Sequence, residues 1–162
     1  FNLLGPLSNP GFVKKQIVGV YSKELLIPFI KALKKLGSTN SWVVCGSDGL
    51  DEVSTTGPTY CAELKDGKIS EFEIRPEIIN IPNTTLQNLT GGSPEENSKE
   101  IIDLFNGKKG PFTDIVILNA ASALMGTGNA NNFNEAKEKA LESIKNKKAL
   151  KKLNDLINIS NS

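Results

Sequence analysis

Two adjacent carboxylates, Asp51 and Glu52, are the residues of this 162-residue chain best suited to chemistry. An apolar run, Val43-Val44-Cys45, ends at Gly46. The glycine-bearing segment Ser47-Asp48-Gly49-Leu50 follows, then the two acids, and Val53 resumes the apolar pattern. Short apolar runs bounded by turn residues read as buried strands, and ligands of open α/β sheets sit beyond the carboxyl ends of their strands. Neighbouring side chains on an extended backbone point to opposite faces. Asp51 and Glu52 therefore converge on one ion only where the backbone turns; otherwise they can reach two neighbouring ions. Either arrangement suits magnesium on a phosphorylated substrate, because magnesium keeps waters and needs only one or two carboxylates besides phosphate oxygens. The spacing leaves another reading open, a solvated loop pair that holds nothing.

Composition narrows the chemistry further. The chain has no histidine. It therefore supplies no histidine base, no histidine-containing catalytic triad and no imidazole ligand, and a bound metal would be a hard cation held by oxygen, magnesium or calcium. Cys45 and Cys61 fall in apolar surroundings and read as two buried thiols rather than a disulfide framework. Nineteen basic against eighteen acidic residues give a net charge of +1, which offers no electrostatic case for nucleic acid or an acidic membrane. The basic cluster from Lys145 to Lys152 falls on a predicted helix and reads as a solvated face. No apolar run approaches the roughly 18 residues of a membrane span, and no signal peptide is visible. The location expected is cytoplasmic. The apolar fraction of 38% supports one domain with a real core. The chain begins at Phe1, without methionine and already inside an apolar motif, which suggests a piece of something longer.

The elements that would position the acids can be read in order. Phe1 to Leu4 fits the end of a strand or helix. In Gly5-Pro6-Leu7-Ser8-Asn9-Pro10, two prolines and a glycine predict a defined loop without regular structure, either a connection or a loop that shapes a substrate site. Gln16 to Tyr21 reads as a buried strand. Ser22 is placed to cap a helix from about Lys23 to Leu36, with Pro28 forcing a late start or a kink. Trp42 to Cys45 forms the next strand, and strand-helix-strand implies parallel pairing. Thr59 to Leu64 and Ile69 to Ile74 alternate around Asp66-Gly67, a hairpin signal. Arg75 to Asn88 is loop-like. Ser93-Pro94-Glu95-Glu96 carries a capping box that starts a helix ending at Gly107, with Ile101, Ile102 and Phe105 as its buried stripe. Gly91-Gly92 precedes that helix without dinucleotide or P-loop spacing and reads as structural. Asp114 to Met125 is ambiguous between strand and helix; the absence of a turn favours one buried helix. Phe133 to Ile157 is amphipathic helix, broken near Asn146 to Ala149. The fold class expected is α/β: a partly parallel sheet with flanking helices plus an antiparallel hairpin.

These residues resemble a known family. Phe1-Asn2-Leu3-Leu4-Gly5-Pro6-Leu7-Ser8-Asn9-Pro10 resembles a motif near the middle of the anthranilate phosphoribosyltransferases, a motif shared with the related pyrimidine nucleoside phosphorylases. Gly49-Leu50-Asp51-Glu52-Val53-Ser54, with Gly57-Pro58-Thr59, is similar to the family's metal loop and the strand after it. Gly91-Gly92-Ser93-Pro94-Glu95-Glu96-Asn97 and Leu118-Asn119-Ala120-Ala121 fall in the family's order.

The resemblance implies transfer of a phosphoribosyl group from phosphoribosyl pyrophosphate to the amine of anthranilate, a step of tryptophan biosynthesis. Carried over by motif, Asp51 and Glu52 would bind Mg2+, and Gly5 and Pro6 would shape the anthranilate channel. No general base is implied, since an aromatic amine is already a nucleophile. The family's small amino-terminal helical domain with its dimer contact, its glycine-rich phosphate loop, its lysine-histidine-glycine segment and its anthranilate-binding arginine would all precede Phe1. Residues 1–162 would then form the carboxyl-terminal part of a single α/β catalytic domain, incomplete without those parts and inactive alone, and the full-length enzyme would be a homodimer. A nucleoside phosphorylase relative and a non-catalytic binding or structural fragment are the alternatives.

Overall fold

The computed structural model describes residues 3–162, so Phe1 and Asn2 of the opening motif lie outside the described residues. The first element is a single helical turn, α1 (Leu4–Leu7), where the proline-rich stretch predicted no regular structure. Pro6 is tolerated because it falls in the first turn, whose N–H groups have no intrahelical partner. The Ser8 N–H and hydroxyl both donate to the Leu4 carbonyl and end the turn (3.0 and 2.7 Å).

Strand β1 (Lys15–Gly19) leads to a 3-10 turn (Lys23–Leu25) and helix α2 (Leu26–Lys35). Of the two outcomes predicted for Pro28, a late start is the one adopted: the proline sits in the first turn of α2. Ser22 precedes the 3-10 turn without capping it; its hydroxyl donates to the Glu24 carboxylate instead. Strand β2 (Asn40–Gly46) pairs parallel with β1, as the strand-helix-strand pattern requires. Strands β3 (Thr59–Lys65) and β4 (Lys68–Ile74) complete an antiparallel hairpin, and β3 runs antiparallel to β2. Asp66 and Gly67, at φ 50° and 75°, form the two-residue turn of left-handed conformations that hairpins favour. The sheet order is β1-β2-β3-β4.

Alternation along β2 divides the core in two. Val43 and Cys45 face α2, where they join Val18, Val20, Phe29, Ile30 and Leu33. Trp42 and Val44 face the opposite layer, built from α4 (Pro111–Gly126) and α5 (Phe133–Lys145). The ambiguous segment from Asp114 to Met125 is thus one helix, apolar around its whole circumference because strands, loops and α5 surround it. Gly126 ends it against the Trp42 ring, where a methyl would come within 2.8 Å of the indole. The Trp42 indole N–H donates to Glu63 (2.9 Å), and its ring packs edge-on against Phe72.

Beyond the hairpin in the chain, α3 (Pro94–Phe105) begins with the predicted capping box: the Glu96 N–H donates to Ser93 Oγ (3.2 Å) and the Ser93 N–H to Glu96 Oε2 (2.7 Å). Its buried residue is Leu104, whereas the predicted stripe Ile101, Ile102 and Phe105 is exposed or half-buried. The helix packs on α5 and α6 (Lys148–Ser160), and Leu104 is the position of its apolar face that is buried there. Gly91 and Gly92 serve this helix start structurally. The Gly92 N–H donates to Asn97 (2.9 Å), and a side chain at Gly92 would strike Glu96. The break in the last amphipathic stretch falls at Asn146–Lys147, between α5 and α6 (Lys148–Ser160). Lys145, Lys147, Lys148, Lys151 and Lys152 are exposed, the solvated face expected of them. Among the described residues no helix is long and apolar enough to cross a membrane.

Candidate metal and substrate site

The loop from Gly46 to Thr59 is organised from its own sequence. Asp48 is its hub: Oδ1 accepts the Leu50 N–H (3.0 Å), and Oδ2 accepts the hydroxyls of Ser54 and Thr56. Ser54 is itself fixed, because its N–H donates to Thr59 Oγ1 (2.9 Å) and its Oγ accepts the Thr56 N–H (2.9 Å). The Gly46 N–H donates to the Leu50 carbonyl (2.8 Å) and the Ser47 N–H to the Pro58 carbonyl (2.9 Å), drawing the loop ends together. Burial pushes the Asp48 pKa up. The hydrogen bonds from Ser54, Thr56, the Leu50 N–H and its own backbone outweigh that and hold it below the usual aspartate value.

This network presents Asp51 and Glu52 on a bend, both exposed, with Val53 beside them fully buried. Two outside contacts hold the bend. Gly19, the last residue of β1, lies against the Asp51 backbone so closely that a methyl there would sit 1.5 Å from the Asp51 carbonyl oxygen. On the other side, the Asn119 side chain on α4 accepts from the Val53 N–H (2.9 Å) and donates to the Val53 carbonyl (2.7 Å). The chain bends at the two carboxylates rather than running extended through them. Much of Glu52 meets solvent, yet burial around its carboxyl, then the charges of Asp51 and Asp48, raise its pKa above the ordinary glutamate value.

An open hollow of about 680 Å³ runs beside β1 and reaches the end of that strand. Gly5, Pro6 and Asn9 line it from the opening segment, Gln16 to Gly19 from β1, and Asp51 from the loop. Three of the four predicted site residues thus share one hollow; Glu52 is not on its wall. Among the described residues no three acidic, cysteine or histidine side chains gather as a self-sufficient metal cluster. The donor set is two exposed carboxylates and suits a cation that completes its shell with water and phosphate, as magnesium does. Sequence reasoning missed Asp48 and gave no role to Asn119. For Asp48 a local signal existed: serine and threonine at positions 54 and 56 are the donors a short acidic side chain gathers in a turn.

A three-layered α/β domain, with its hollow against the parallel edge strand and an acidic loop at that strand's end, is the class that fold and site define. Within it the chain belongs to the glycosyl transferase family, a/b domain, whose sequence profile matches residues 1–150. Curated relatives include the anthranilate phosphoribosyltransferase of Azospirillum brasilense, 48% identical over the whole chain and 46% of the relative. That of Clostridium kluyveri is 44% identical over 99% of the chain and 48% of the relative. Among solved structures, the Saccharomyces cerevisiae anthranilate phosphoribosyltransferase in complex with 4-fluoroanthranilate superposes with a TM-score of 0.87 at 31% identity, covering 96% of this chain and 46% of that one. The same yeast enzyme has been solved in complex with PRPP and Mg (TM-score 0.85, 31% identity, 93% of this chain and 44% of that one). The chain spans about half the length of the relatives it matches.

Proposed function

We propose that residues 1–162 form the carboxyl-terminal part of a single α/β phosphoribosyltransferase catalytic domain. In the complete protein that domain moves the phosphoribosyl group of phosphoribosyl pyrophosphate onto the amine of anthranilate. The ribose C1–oxygen bond to pyrophosphate breaks, a C1–nitrogen bond forms, and the amine gives up a proton. The observation that carries this reading is the shared hollow, in which Gly5 and Pro6 from one motif meet Asp51 from another.

In this reading Asp51 and Glu52 hold Mg2+, and both are accessible for it. When bound, the ion offsets negative charge on the departing pyrophosphate. The rest of the work is positional. Pro6 fixes the backbone in α1, and Gly5 leaves open space beside it, with nothing within 4 Å of where a methyl would stand. Together they shape a rigid wall for an aromatic amine, which loses little freedom on docking there. The neutral aromatic amine is already a nucleophile, so alignment with the ribose suffices for attack, and its proton leaves to water or to the departing pyrophosphate without a base from this chain. Dimerisation through an amino-terminal helical domain and a cytoplasmic location belong to the same reading.

The test completes the chain with the amino-terminal portion of the Azospirillum brasilense relative and follows loss of anthranilate fluorescence with phosphoribosyl pyrophosphate and Mg2+. The chimera turns over; the 162-residue chain alone does not; Asp51→Ala and Glu52→Ala each abolish the magnesium-dependent rate. Consumption of a nucleoside and phosphate, with anthranilate ignored, would replace this reading with a phosphorylase. Unchanged rates in both alanine variants would remove the metal assignment.

A further inference from the structure

We infer that Asn119 is a positioning residue for the acidic loop: its side-chain amide, reaching across from α4, fixes the backbone next to Glu52 and so sets where the two carboxylates present their oxygens.

The side chain is almost fully committed. Oδ1 accepts the Val53 N–H at 2.9 Å, and Nδ2 donates to the Val53 carbonyl at 2.7 Å and to the Ile115 carbonyl at 3.0 Å, one turn back on its own helix. Two carbonyls and one N–H dictate the orientation of the amide. The contact imitates a strand pairing: an amide side chain exchanges both hydrogen bonds with one residue's backbone. Val53 is fully buried, and its side chain packs into the cluster containing Leu118 and Ala121, the neighbours of Asn119 on α4. Without Asn119, the N–H and carbonyl of a buried residue would have to find other partners or open to water.

The loop's internal bonds run through Asp48, Ser54 and Thr56 and hold its shape. They do not tie the bend at Asp51 and Glu52 to the layer beneath. Asn119 on one side and the Gly19 backbone on the other do that. The amide therefore acts on Glu52 through one peptide unit and on Asp51 through two, and it touches no reacting atom.

This inference rests on the magnesium reading above, and the experiment separates the two. In the chimera, Asn119→Ala removes the amide, and Asn119→Asp keeps an acceptor for the Val53 N–H while losing both donated bonds. Mn2+ affinity in the presence of phosphoribosyl pyrophosphate is read from water proton relaxation, Val53 amide exchange by NMR, and turnover as a function of Mg2+. The expected result for Asn119→Ala is faster Val53 exchange and metal affinity weakened about tenfold, the low end for residues that orient ligands from outside. Turnover recovers at high Mg2+ and KM for anthranilate is unchanged; Asn119→Asp, which sets a carboxylate oxygen against the Val53 and Ile115 carbonyls, is weakened at least as much. A general structural role would lower the melting temperature and the turnover number at unchanged metal affinity, and that result overturns the inference. Should both variants fail to fold, the unaltered chimera decides. The Asn119 side-chain amide resonances shift in step with Mg2+ occupancy if the inference holds, and their indifference refutes it. If Asp51→Asn and Glu52→Gln leave Mn2+ affinity unchanged, the magnesium reading has failed, and the inference falls with it.

Discussion

Gly19→Ala is the sharpest single perturbation of this molecule. The added methyl would lie 1.5 Å from the Asp51 carbonyl oxygen and 2.4 Å from its carbon. Carbon and oxygen normally approach to about 3.3 Å, so the two backbones must separate by about 1.8 Å, and both partners are main chain with no rotamer to change. Overpacking of this kind costs about 1–3 kcal/mol. Because β1 is held by its ladder to β2 while Asp51 sits on a loop, the loop yields first and the cost falls near 2 kcal/mol. With a urea slope of about 2 kcal/mol per molar, the unfolding midpoint of the chain falls by about 1 M. The functional effect is larger in proportion, since a misplacement of about 1 Å can cost around a hundredfold in rate. Turnover of the chimera should drop by at least that factor, with a raised Mg2+ requirement. The reasoning is refuted if Gly19→Ala unfolds at the same urea concentration and keeps its magnesium dependence. If stability falls but turnover does not, the loop's position does not govern the chemistry.

Gly5→Ala tests the opposite geometry: with open space around Gly5 and α1 helical there, stability stays within about 0.5 kcal/mol. If Gly5 shapes the anthranilate channel, KM for anthranilate rises severalfold in the chimera while urea unfolding is unmoved; equal KM values would free Gly5 of that role. Glu135, in the first turn of α5, accepts from the Lys139 ammonium (2.6 Å) and from the Asn131 N–H and side-chain amide, which hold its pKa down at about 2. Because the folded value lies below the unfolded one, near 4.3, its stabilising contribution is complete above the unfolded value and is lost as pH falls toward 2. Carboxyl NMR should give a midpoint near 2 for Glu135, and Glu135→Gln should flatten the stability curve between pH 4 and 2; a midpoint near 4 would break the account.

What was legible in the sequence follows the range of the interactions concerned. The Ser93 capping box and the Asp66-Gly67 turn were readable because every partner lies within a few residues. The parallel pairing of β1 and β2 followed from a connection that can close in only one way. α4 could be read as one buried helix because no turn interrupts its apolar run, although its even apolar surface gives no face to predict. Leu104 is not legible because burial on α3 depends on where α5 and α6 meet it, contacts between distant segments that periodicity does not encode. At Leu4–Leu7 the prolines misled, since a first turn accepts what a helix interior refuses. Asp51 and Glu52 were picked out by their place after β2. The contacts that hold them come from Gly19 and Asn119, which only the folded chain brings near. Trp42, near the start of the strand leading to the loop, packs against Gly126 and Phe72.

The close fit of Gly126 on Trp42 has a bearing on how such a protein tolerates change. Gly126 and Asn119 lie on the same rigid helix, two turns and about 10 Å apart. A bulkier residue at position 126 would lift α4 off the sheet at one end and carry the Asn119 amide with it. Substitutions under α4 should therefore surface in a mutational screen as weakened catalysts before they surface as unfolded chains. Drift in that interior would be filtered by selection on activity, at positions that never approach a substrate.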